Sequence, residues 1–176
     1  GSSTKAITVV PNFTGPGGSW VQLVAPTVDA TAVELVAAYY QFTPGSAPVV
    51  STASAAGRWT AICQSYAGVD PSNPVDVAAV LTTGNGTTLA ATGVTTVTPD
   101  AMLLSGYMVD SSSRTLTQPG TMTMVKSYTP SAGGQALAVA EEPRPTFGAT
   151  GTRTRTLSGT ALHHIAFVTA QRPAHQ

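Results

Sequence analysis

The chain has 176 residues, of which 42% are apolar and only 9% charged, and its eight basic and eight acidic residues balance to zero. That composition excludes disorder, which combines high charge with low hydrophobicity. It also excludes the basic field that would hold nucleic acid or an anionic membrane. The single cysteine, Cys63, excludes an intrachain disulfide, and no apolar run approaches the roughly 18 residues of a membrane-spanning helix.

Alternating, β-branched runs between turn clusters predict strands in chain order. They are Lys5–Pro11, Trp20–Ala25, Val33–Gln41, Pro48–Ala53, Arg58–Tyr66, Val77–Thr82, Thr87–Thr96, Ala101–Val109, Met122–Tyr128, Gln135–Glu141, Thr152–Leu157 and His163–Ala170. Helix signals are nearly absent. Asp29–Tyr40 carries alanines and a cap, but its β-branched content reads as strand. Gly84-Asn85-Gly86 is expected to be a hairpin turn, because Asn-Gly accepts positive φ at both central positions. In the last strand, His163, Ile165 and Phe167 share one face, while His164, Ala166 and Val168 share the other. Both faces are apolar at its end, so the strand is central in a sheet covered on both sides, or its outer face packs on another subunit.

The second half repeats the grammar of the first. Gly18 and Leu35 are 17 residues apart, as are Gly120 and Leu137, and each step joins a tight glycine turn to an apolar strand. The fold class expected is all-β: a two-sheet antiparallel β-sandwich, jelly-roll-like, in a single domain spanning 1–176. Pseudo-repeat halves fall at about 5–76 and 99–173, with tails at 1–4 and 173–176.

Few residues offer chemistry. Asp70, Asn73 and Asp76, in the segment DPSNPVD, are oxygen donors of the kind Ca²⁺ takes, but two prolines and the lack of an EF-hand spacing favour a rigid turn capped by Asp70. Cys63 reads as a small buried hydrophobe. Arg153 and Arg155 fall on one strand face, read as an exposed face kept soluble by charge. His163 is expected in the core. Glu141 and Glu142 are neighbours on a strand and point apart, so they cannot flank one glycosidic bond. The candidates for binding a glycan or a protein partner are the aromatics Trp20, Tyr40, Phe42 and Tyr107, and Trp20 follows a Pro-Gly-Gly turn that could stand at a loop tip. No cofactor is expected.

Four segments taken together carry a family resemblance: SYAGVDPSNPVD at 65–76, PDAMLL at 99–104, ALAVAEE at 136–142, and GATGTRTR at 148–155 with the closing QRP at 171–173. The set resembles a β-sandwich domain family of phage tail and virion proteins and of secreted actinobacterial multidomain proteins. The resemblance spans roughly 18–173, and its most specific motif is the tyrosine-x-glycine-valine-aspartate stretch followed by asparagine-proline. Members usually begin with an additional strand led by glycine-aspartate. Here only KAITVV at 5–10 precedes the first tight turn, so the first sheet lacks a strand or borrows one from a neighbouring chain.

The resemblance implies a jelly-roll-like sandwich in a virion or cell-surface setting and brings no catalytic residues. The function expected is therefore that of a non-enzymatic structural virion protein, a capsid decoration or tail accessory subunit. It would assemble with other virion subunits or with itself. The alternative is a carbohydrate-binding module of a secreted bacterial protein, recognising a cell-surface glycan.

Overall fold

The computed structural model describes residues 12–14, 21–28, 35–40, 49–51, 60–111, 114–131, 135–159 and 162–174. The predicted strand Lys5–Pro11 and the residues Trp20, Phe42 and Trp59 lie outside these. Among the described residues there is no helix. In chain order the strands are β1 (Asn12–Thr14), β2 (Val21–Val28), β3 (Leu35–Tyr40), β4 (Val49–Ser51), β5 (Val75–Gly86), β6 (Thr88–Ala91), β7 (Thr95–Thr96), β8 (Ala101–Val109), β9 (Thr123–Tyr128), β10 (Ala136–Arg144), β11 (Gly148–Ala149), β12 (Arg153–Thr156) and β13 (Leu162–Gln171).

Five of them form an antiparallel sheet in the order β5-β13-β8-β10-β9. The pair β6–β12 lies over one face of it, and β7 pairs with β11. The pair β2–β3 lies over the other face, and β1 pairs with β4. Period-two alternation builds both interfaces. The inner core gathers Leu103, Tyr107 and Val109 of β8, Ala136, Ala138 and Ala140 of β10, Ala166 and Val168 of β13, and Leu89 and Ala91 of β6. The outer core joins Val24 of β2 to Met108 and Ile165, with Leu137 and Phe167 beside them. Central β8 is therefore buried along both faces. The two-faced apolar pattern of His163–Ala170 has the same cause, since β13 lies between β5 and β8 with layers above and below.

The strands β2–β3 and β9–β10 form antiparallel pairs. In each, the register shift places the extra residue on the first strand. Pro26 falls inside a shift of β2, where no ladder N–H is needed. Pro143 of β10 lies beyond Glu141, the last residue paired with β9, so its missing N–H costs no bond there.

Three expectations change. Gly84-Asn85-Gly86 is not a turn: β5 runs through it, pairing Gly84 with His164, Asn85 with His163 and Gly86 with Leu162. Gly84 is there for space, since a Cβ at that position would strike the His164 ring. Thr87–Thr96 is two strands rather than one, broken at Thr92–Val94, where Gly93 lies against the Gly151 backbone too closely for any side chain. Finally, the described part of Arg58–Tyr66, residues 60–66, belongs to no strand, although Ile62, Gln64 and Tyr66 turn inward and Ala61, Cys63 and Ser65 outward as strand residues would.

Pro173 bridges Val69, and the Ala174 N–H donates to the Gly68 carbonyl at 2.7 Å.

Candidate functional site

The polar residues singled out by sequence divide into a buried inter-layer cluster and an outer groove. In the cluster, Glu142 of β10 faces Arg153 of β12 across the inner interface. The guanidinium donates from Nε to Oε2 and from Nη2 to Oε1, both at 2.9 Å, which is the bidentate geometry that suits a planar fork. The Thr121 hydroxyl donates to Oε2 at 2.6 Å and Arg144 Nη1 to Oε1 at 3.1 Å. Arg153 Nη1 donates to the Thr150 and Gly151 carbonyls. Burial works against the charged Glu142 carboxylate, yet the bonds from Arg153, Thr121 and Arg144 hold it below the ordinary carboxylate range.

Two residues along, Arg155 is fully buried and, among the described residues, has no carboxylate partner. Its guanidinium carbon lies 4.6 Å from the centre of the Tyr107 ring. Nη1 and Nη2 each approach Met124 Sδ at 3.2 Å, and Nε has no acceptor. Loss of water lowers its pKa to about 10, against a raising contribution from Tyr107. The two arginines do share a strand face, but it is the inner face, so they are not solvent-exposed charges. Strand alternation places both on one side and cannot say which side is covered.

Tyr107 is likewise an internal strut. It is fully buried on β8, takes Arg155 against its ring, and donates from its hydroxyl to the Arg153 carbonyl at 3.0 Å. Desolvation raises its pKa, and the nearby Ser105 and arginines oppose that rise. A surface glycan has no access to it. Tyr40 is half-buried and pairs with Val21. Trp20 and Phe42 lie outside the described residues.

The loop holding Asp70, Asn73 and Asp76 is a turn zipped to the chain end. Asp70 Oδ1 accepts from the Ser72 and Asn73 N–H groups at 2.8 and 3.2 Å. Asp76 points elsewhere: Oδ2 accepts from the Val97 N–H at 2.9 Å, and Oδ1 lies 3.6 Å from Arg172 Nη2. The chain end closes the loop, with the Asp70 N–H donating to the Arg172 carbonyl and the Arg172 N–H to the Pro74 carbonyl. Among the described residues no cluster of three or more His, Cys, Asp or Glu forms a metal site. Of the two adjacent histidines it is His164 that is buried, at 4% exposure, while His163 is half-buried.

The outer groove lies between the segment 60–66 and edge strand β9. It has a volume of about 340 Å³ and is lined by Ala61, Ile62, Cys63, Val125, Lys126 and Tyr128. The extra residue of β9, between the Met124–Ala140 and Lys126–Val139 pairs, brings both Val125 and Lys126 to its wall. Cys63 is exposed there rather than buried. The segment is tied down by the Thr60 hydroxyl on the Gln135 carbonyl, and by Gln64 Nε2 and the Tyr66 hydroxyl on Glu141 Oε2 at 3.2 and 3.0 Å. Desolvation and the Glu141 carboxylate together push the Tyr66 hydroxyl well above its ordinary pKa. Glu141 and Glu142 thus serve opposite faces of β10, as adjacent strand residues must.

Sequence reading missed one surface. Val97 and Phe147 are 60% and 66% exposed, one residue beyond the Thr96–Gly148 pair that joins β7 to β11. The Val97 N–H is held by Asp76, the Gly148 N–H donates to Thr96 Oγ1 at 3.1 Å, and Thr96 Oγ1 donates to the Gly148 carbonyl at 3.2 Å. The result is two exposed apolar side chains at adjoining ends of the braced β7–β11 pair. The only sequence signal was an aromatic between Pro145-Thr146 and Gly148.

Comparison with protein-family models, with curated proteins and with solved structures finds no match to this chain.

Proposed function

We propose that the protein is a non-enzymatic structural subunit of a virion, a capsid decoration or tail accessory protein that acts through protein–protein assembly. The observation that carries this reading is the Val97–Phe147 pair. Large exposed apolar side chains on a backbone braced by Asp76 and Thr96, at the end of the β7–β11 pair, lose little entropy on docking and have apolar surface to bury. The charge-poor surface and the family resemblance support it. So does the use of the acids: Asp70, Asp76, Glu141 and Glu142, four of the eight, are committed to turn, strand and inter-layer partners. Mass spectrometry of gradient-purified particles from cells that encode this chain tests the reading. The chain is expected at fixed stoichiometry in the particles, and its absence from them overturns the proposal.

A second reading, a carbohydrate-binding module of a secreted protein, is favoured by Tyr128. This ring is 48% exposed at the groove wall beside Lys126, a pairing suited to stacking on a sugar face while a cation meets its oxygens. A glycan array of the protein, with Tyr128→Ala and Trp20→Ala as controls, separates the two. Binding lost in either variant supports the module, and no binding to any polysaccharide removes it.

A further inference from the structure

The five-stranded sheet has two edges, β5 and β9, and they differ in the features that keep edges from pairing. β9 is six residues long, carries an extra residue in its ladder, and presents Lys126. β5 is twelve residues long. Its first residues, Val75–Val80, are irregular against β13, but Val80–Gly86 runs in unbroken register with Leu162–Val168. Val77–Gly86 contains no charged residue and no proline. Val80, Thr83 and Asn85 are exposed along it. Among the described residues β5 pairs with β13 alone. A row of outward N–H and C=O groups at strand spacing is matched by another extended strand.

We propose that the outer edge of β5 pairs antiparallel with the same edge of a second copy of this chain, joining two five-stranded sheets into one. An antiparallel edge brought against itself by a two-fold axis is self-complementary. The register centred on Thr83 sets Thr83 opposite its own copy and Leu81 opposite Asn85. All three lie on the outer face, since their β13 neighbours are Ile165, Phe167 and His163, so the faces of the two sheets match. Thr–Thr is a favourable cross-strand pair, and no like charges meet in this run. The pairing deepens the assembly reading by naming a surface and a partner, and it relies on that reading for self-association only, not for the virion.

Two measurements test it on the full chain. Light scattering after size exclusion, over a concentration series, is expected to show a monomer–dimer equilibrium. Thr83→Lys, which sets two ammonium groups face to face, is expected to weaken the dimer by about tenfold or more, equivalent to ~1.4 kcal/mol. An unchanged unfolding midpoint would show that this exposed substitution leaves the fold intact. In a Cys63→Ser background, Thr83→Cys is expected to form a disulfide-linked dimer under mild oxidation, while Thr123→Cys on β9 is not.

A monomer at every concentration, a dimer indifferent to Thr83→Lys, or cross-linking equal at both sites each overturns the proposal. A monomer that still enters purified particles would sink the β5 pairing and leave the virion reading standing. A β5 dimer absent from particles would do the reverse.

Discussion

Arg155 and Arg153 lie two residues apart on one strand face, with opposite electrostatic standing. Arg153 meets Glu142 in a saturated bidentate pair, and Arg155 is buried against a ring and a thioether. Removing one partner of a buried pair leaves a bare charge, so Glu142→Gln should lower unfolding free energy by about 3–5 kcal/mol in denaturant melts at neutral pH. Because the Glu142 carboxyl sits below its ordinary 4.5, its contribution is full above that value and is lost as pH falls through the folded-state value. The acid limb of the stability–pH curve should therefore be shallower in Glu142→Gln; identical limbs would show that this group does not drive acid unfolding. Arg155→Met should behave differently. It removes an unpaired desolvated cation and keeps the volume, so stability should hold or rise by up to about 2 kcal/mol. A loss larger than that would assign Arg155 a structural charge role. The sign with pH agrees: a folded value near 10 lies below the ordinary 12.5, so this cation disfavours folding until pH climbs through that interval.

The strands owe their packing to small residues at chosen crossings. Gly106 of β8 pairs with Phe167 of β13, whose ring occupies the space a Cβ at Gly106 would need. Gly106→Val should cost about 1–3 kcal/mol through overpacking of the outer core, read as a lowered thermal midpoint. An unchanged midpoint would mean the ring can move aside freely. Gly84 has the same relation to His164 one strand over, and this explains why a good turn sequence became strand. Asn-Gly propensity is a local preference, while the His164 ring arrives from 80 residues away in sequence, and the ladder with β13 outweighs the turn. Segment 60–66 makes the converse point. Its alternation survives as alternate burial, but three side-chain bonds to Gln135 and Glu141 hold it, not a strand ladder.

At the scale of the whole molecule, one sheet serves two cores, and three exposed features stand out among the described residues: the Val97 and Phe147 side chains beside the β7–β11 pair, the groove along β9 and the edge of β5. If these two side chains are the docking surface, Val97→Ser with Phe147→Ser should abolish incorporation into particles while leaving the melting temperature within about 4 °C, since each exposed substitution shifts stability by about 0.5 kcal/mol or less. Retained incorporation would move the docking surface elsewhere.

Strand positions were legible in the sequence because period-two alternation is a property of neighbouring residues, and Ala101–Val109 and His163–Ala170 declared themselves that way. The turn role of Asp70 was legible too, since an Asx turn is closed by the next two or three residues. The fates of Arg153, Arg155, Tyr107 and Cys63 were not. Alternation assigns each to a face without saying what covers that face, and the cover is set by strand order. The β6–β12 layer buries the arginines against Tyr107, and the pairing of β9 with β10 leaves Cys63 at an open groove. Local chemistry thus determined most of the strands and the Asp70 turn. Long-range pairing decided which polar residues became internal struts and which apolar ones, Val97 and Phe147, were left facing water.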